Sequence, residues 1–149
     1  HRILVPDYSK PLVTHTQLDN NVIIFSLFPG MEEGLMHHLF DAPELRSIVM
    51  RSYGSGNAPQ RPWLMKLLKQ ASERGVIVVN ISQCISGQVE MSRYDTGYQL
   101  KDAGVISGYD STVEAAVTKL MYLQARYKDA DKVRYYMNHS IAGEITIQE

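Results

Sequence analysis

Three short apolar runs constrain this chain more than any other feature of it. Val22-Ile23-Ile24-Phe25, Ile48-Val49-Met50 and Val76-Ile77-Val78-Val79 are unbroken and mostly β-branched, and they begin about 25–30 residues apart, the length of a βαβ unit. A strand with one solvated face alternates apolar and polar residues. An unbroken run instead marks a strand covered on both faces, the habit of parallel sheets. Helical periods fill the intervals. Residues 31–40 put Leu35, Met36 and Leu39 on one face. From about residue 60, Trp63, Leu64, Leu67, Leu68 and Ala71 form one stripe, with Gly75 as terminator. That stripe reads as core packing.

A short helix over 94–103 and a short fourth strand within 104–108 follow. Ser111 and Glu114 have the spacing of a capping box and predict a helix to about residue 127. Asp129-Ala130-Asp131 opens a last helix with Val133, Tyr136 and Met137 inward, and the polar residues 143–149 read as a weakly ordered end. The fold class is therefore α/β: a small, mostly parallel sheet of about four strands with helices on both faces, a Rossmann- or flavodoxin-like three-layer arrangement.

Residues 1–20, with Pro6 and Pro11 and no sustained period, read as a linker or edge segment. The chain opens at His1, which suggests a piece of a longer protein cut at a domain boundary. A net charge of -1 gives no electrostatic case for nucleic acid or an anionic membrane surface. No apolar run approaches the ~20 residues of a membrane span. The one cysteine, Cys84, excludes an intrachain disulfide and fits a reducing compartment.

The candidate site is the loop after the second strand, Arg51-Ser52-Tyr53-Gly54-Ser55-Gly56-Asn57-Ala58-Pro59. Glycines let backbone amides approach a ligand, a following helix N-terminus favours negative charge, and Pro59 suits a first helical turn. The third glycine of a dinucleotide fingerprint and the Lys-Ser/Thr pair of a phosphate loop are both missing. A tight strand-to-helix turn without a ligand fits the same residues. Arg51, at the end of an apolar strand, suits either a ligand carboxylate held bidentately or an acid of the same fold. Cys84, just after the third strand, is either a small packing residue or a ligand contact in a crevice shared with Arg51; no histidine lies near enough in the pattern to serve it as base. Ser55 lacks the frame of a nucleophile elbow. His37 and His38 are adjacent rather than four apart, and no Cys/His cluster exists, so neither a metal nor another cofactor is expected.

Three motifs in order carry more than composition. They are residues 45–60 around the glycine loop, Val78-Val79-Asn80-Ile81-Ser82-Gln83-Cys84, and Ala103-Gly104-Val105-Ile106-Ser107-Gly108-Tyr109-Asp110-Ser111-Thr112-Val113-Glu114-Ala115. Together they resemble the C-terminal domain of bacterial type I (cytoplasmic-type) L-asparaginases, a likeness running from about Asn21 through Gly143-Glu144-Ile145-Thr146. The resemblance implies a cytoplasmic enzyme of identical subunits, dimer or tetramer, that hydrolyses L-asparagine to L-aspartate and ammonia without a cofactor. The threonine nucleophile, second threonine, lysine and aspartate of that chemistry belong to a larger N-terminal domain and have no match here. Residues 21–149 are then the C-terminal domain, with no catalytic residue of their own and no activity alone.

The same resemblance assigns Asn57 a contact with substrate, through its α-amino or carboxylate group, in a neighbouring subunit's active site. It assigns Arg51 and Cys84 to a regulatory asparagine site between subunits. A carboxylate used for substrate contact in secreted relatives has no clear equivalent, Tyr94 and Asp95 being the nearest candidates. The rival reading is a free-standing flavodoxin-like module for ligand binding or oligomerisation, without enzymatic activity.

Overall fold

The computed structural model describes residues 5–91 and 95–147. Nine elements follow one another: β1 (Val22–Ser26), α1 (Glu33–Phe40), β2 (Ser47–Ser52), α2 (Pro62–Glu73), β3 (Ile77–Ser82), α3 (Asp95–Asp102), β4 (Ile106–Ser107), α4 (Val113–Arg126) and α5 (Ala130–Met137). The four strands are parallel and lie in the order β1-β2-β3-β4. Because the order never reverses, right-handed crossovers put α1, α2 and α3 on one face of the sheet. The other face is covered by α4 and α5, which follow the last strand.

The strands sort their side chains accordingly. Ile48, Met50 and Val78 pack with Met36 and Phe40 of α1, Leu64, Leu67 and Leu68 of α2, and Leu100 of α3. Val49, Ile77, Val79 and Ile81 pack with Ala116, Leu120 and Leu123 of α4 and Val133 and Met137 of α5. The α/β three-layer class is as the sequence indicates.

Several local expectations are revised. β1 is an edge strand, and Ile24 is 49% exposed, so this run is not covered on both faces. In α1 the buried side chains are Met36 and Phe40, whereas Leu35 faces solvent. Helix α2 begins at Pro62, not near Pro59. The reason is steric: Pro62 disfavours helical backbone at Arg61, which is extended, and takes the first-turn role itself. Helix α4 is capped by Thr112 rather than Ser111, its hydroxyl accepting the Ala115 N–H at 3.2 Å.

The tail is not loose over 143–147. Ile145 is buried, Thr146 N–H donates to Asp110 Oδ1 at 2.7 Å, and Glu144 pairs with the buried Lys119 at 2.5 Å. At the opposite edge of the sheet, Arg46 donates to Asp19 Oδ2 at 2.8 Å and to the carbonyls of Gln124 and Tyr127 at 2.7 and 3.1 Å. One guanidinium thus caps the end of α4 and ties down the segment leading into β1.

Candidate functional site

Parallel strands bring the loops after β1, β2, β3 and β4 to a single edge of the sheet. The β2 loop is the most constrained of them. Tyr53 and Asn57 exchange backbone hydrogen bonds of 2.9 and 2.8 Å, closing the loop over Gly54, Ser55 and Gly56. Its three inner carbonyls are then each taken by a different donor. Ser82 Oγ donates to Gly54 O at 2.6 Å, Glu90 N–H to Ser55 O at 3.0 Å, and Asn80 Nδ2 to Gly56 O at 3.0 Å. Ser82 and Asn80 are two apart on β3 and so project from the same face.

Gly56 has φ +107°, and a Cβ there would come within 2.8 Å of Val89 Cγ1. Only glycine allows residues 89–90 to cross so closely. The loop is therefore a pinned platform more than an open cradle of free amides. Asn80 is wholly buried, and its Oδ1 has no partner among the described residues.

Asn57 is half-buried at the rim of this platform. Its Oδ1 accepts from Thr96 Oγ1 at 3.1 Å, from the first turn of α3. Of the two carboxylate-equivalent candidates, Tyr94 lies outside the described residues and Asp95 opens α3. The residue brought to Asn57 is their neighbour Thr96, which sequence reasoning passed over. No local pattern marks it, because the contact joins the β2 loop to a helix nearly forty positions later.

Arg51 projects to the other face of β2, the side of Val49 and of α4. Its Nε is buried without a hydrogen-bond partner, and it forms no ion pair among the described residues. Glu114, in the first turn of α4, feels its charge: hydrogen bonds from its own N–H and the Thr112 hydroxyl chiefly hold that carboxyl below its ordinary range, and Arg51 adds to the effect. Cys84 is exposed, its N–H donating to Ser82 Oγ at 3.0 Å. Next to Cys84, Gln83 Nε2 donates to the carbonyls of Leu27 and Arg51, each at 2.8 Å. The three singled-out residues thus share the C-terminal edge of the sheet, with Arg51 turned toward α4 and Asn57 toward α3.

Cavities also open beside these elements, the second of them bordered by the strap residues Val89, Glu90 and Met91. One of about 630 Å³ opens between α2 and α3, beside Arg61, Lys66 and Gln99. One of about 600 Å³ runs along β4 beside Tyr109, Arg134 and Asn138. Neither is lined by Arg51, Asn57 or Cys84. No described helix is long and apolar enough to cross a membrane.

A sequentially ordered parallel sheet with a pinned glycine loop at its C-terminal edge defines a class of three-layer α/β domain. The family model of the glutaminase/asparaginase C-terminal domain matches residues 21–137, and the chain belongs to that family. It is 39% identical over 141 residues to L-asparaginase 1 of Escherichia coli (strain K12), covering 95% of this chain and 41% of that protein. It is 41% identical over 141 residues to the 60 kDa lysophospholipase of Homo sapiens, covering 94% of this chain and 24% of that one. The crystal structure of L-asparaginase I from Vibrio cholerae O1 biovar eltor str. N16961 superposes with a TM-score of 0.82 at 42% identity, covering 87% of this chain and 39% of that chain. The chain therefore spans about two-fifths of the two asparaginases and about a quarter of the lysophospholipase.

Proposed function

We propose that this chain serves as the C-terminal domain of a cytoplasmic L-asparaginase built from identical subunits, residues 1–20 leading in from a catalytic domain and 21–149 forming the α/β unit. In this reading the catalytic threonines, lysine and aspartate lie in the N-terminal part. The loop after β2 supplies Asn57 to a neighbour's active site, and Arg51 with Cys84 borders a regulatory asparagine site. The observation that carries it is the pinned loop: three carbonyls held from β3 and residue 90, with Asn57 half-buried at the rim. An asparagine so fixed suits recognition of a small polar substrate, because the ordering cost is met on folding, before binding.

The test is a hybrid enzyme in which this chain replaces the matching part of the Escherichia coli L-asparaginase 1. The hybrid is expected to release ammonia from L-asparagine, and Asn57→Ala is expected to lower kcat/KM by about 10–100-fold, the effect of one hydrogen bond to a charged group. A hybrid that folds and assembles yet releases no ammonia would overturn the proposal. Arg51→Ala should turn a sigmoidal dependence of rate on asparagine into a hyperbolic one with the limiting rate retained. Steady-state kinetics over a wide range of asparagine concentration checks this.

A further inference from the structure

We infer that Thr96 is a positioning residue of this site, its hydroxyl turning the Asn57 carboxamide so that Nδ2 is presented as a donor to the substrate's α-carboxylate. The inference rests on the reading of Asn57 as a substrate contact and goes beyond it. Asn57 has one acceptor oxygen and one donor nitrogen on its side chain. The acceptor is engaged by Thr96 Oγ1 at 3.1 Å, while Nδ2 has no partner among the described residues and is not enclosed. With Oδ1 turned to Thr96, the two N–H donors of Nδ2 are the wholly unpaired part of the group, and they meet an acceptor. In L-asparagine the α-ammonium only donates, and the side-chain carbonyl belongs to the bond being cleaved, which leaves the α-carboxylate. The charge on that acceptor also strengthens the bond.

The placement of Thr96 is built in. Next to it, Gly97 lies so close to the Met91 carbonyl that a Cβ would come within 2.3 Å of its oxygen. On the other side of the same strap, Val89 presses on Gly56 and Glu90 N–H holds Ser55 O. Two glycines, one in the loop and one in α3, thus flank residues 89–91, Gly56 against the Val89 side chain and Gly97 against the Met91 carbonyl. The first turn of α3 therefore packs against the strap that holds the loop, and Thr96 meets Asn57 across that contact.

The test begins on the 149-residue chain itself. By NMR, the Asn57 Nδ2 protons are expected to be ordered, and Thr96→Val, which keeps the shape and removes the hydroxyl, should relax them to the behaviour of the exposed Asn20. Thr96→Ser should keep them ordered. In the asparagine-hydrolysing enzyme, Thr96→Val should raise KM about tenfold with a smaller change in kcat, and Thr96→Ser should recover most of that loss. The defect should vanish for 3-aminopropanamide, which lacks the α-carboxylate. An Asn57 side chain equally ordered in Thr96→Val overturns the positioning role, and an equal loss on both substrates overturns the carboxylate assignment. If the enzyme hydrolyses no asparagine, the proposed function falls, and the NMR comparison still decides the role of Thr96.

Discussion

Glu144→Gln is expected to destabilise the fold by about 3–5 kcal/mol, because it leaves the Lys119 ammonium buried without a counter-charge. The Lys119 side chain is 4% exposed and that of Glu144 12%. Lys119 Nζ also donates to His139 O at 2.6 Å, and Glu144 accepts the N–H groups of Ile141 and Ala142 at 3.1 and 2.7 Å. One ion pair therefore holds the tail against the end of α5 and the middle of α4. Replacing both partners together, Lys119→Met with Glu144→Met, should cost less than Glu144→Gln alone, since no charge is then stranded. Urea denaturation of the chain and the two variants checks the order.

The same pair sets a pH dependence. Burial pushes the Glu144 carboxyl up, but the hydrogen bond from Lys119 and those from the backbone outweigh it and hold the group below its ordinary 4.5. A carboxyl that is more acidic folded than unfolded contributes stability that is present above the unfolded value and is lost as pH falls through the folded one. Asp110, with Thr146 N–H, and Asp19, with Arg46, are likewise held below 3.8 against the opposing effect of their burial. All three carboxyls act with one sign. Stability should therefore fall below about pH 4.5, and Glu144→Gln should flatten that fall; an equally steep decline in the variant would remove Glu144 from the account.

That tail marks where sequence reading stops. Residues 143–147 look like a polar end, and nothing nearby in the chain announces that Lys119 and Asp110 wait for them. Patterns that depend on one element alone were legible: the β-branched runs gave the strands, and the stripe through Leu64, Leu67, Leu68 and Ala71 gave a buried face. Which strand lies at the edge was not, because Val22–Phe25 reads as apolar as Val76–Val79 and only the sheet order exposes Ile24. The start of α2 required weighing two prolines three residues apart, and the second prevails through its effect on Arg61. At the candidate site, Arg51, Asn57 and Cys84 stood out as candidates through the motifs that contain them. Thr96 did not, since its part depends on residues 89–91 passing between two glycines far apart in the chain.

Those crossings lead to the second large effect. Gly56→Ala is expected to destabilise the fold by roughly 2–5 kcal/mol, from a non-glycine residue at strongly positive φ together with overpacking. The new Cβ would stand 2.8 Å from Val89 Cγ1 and 3.3 Å from Asn80 Nδ2, at a φ of +107°. Nothing there yields cheaply. Val89 belongs to the strap that holds α3, and Asn80 is the wholly buried donor to Gly56 O. Gly54→Ala is the matched control: its φ is +49°, but a Cβ would meet nothing within 4 Å, so only the left-handed backbone is penalised, by about 1 kcal/mol. The two variants sit two residues apart in one loop and differ in what the strap presses on. In the hybrid enzyme that tests the proposed function, Gly56→Ala should also lose more activity than its unfolded fraction explains, because moving the strap separates Thr96 from Asn57. Gly54→Ala should lose activity only in proportion to its stability. Equal destabilisation of the two variants would mean that the strap gives way freely, and the platform on which Asn57 is held would then be no platform at all.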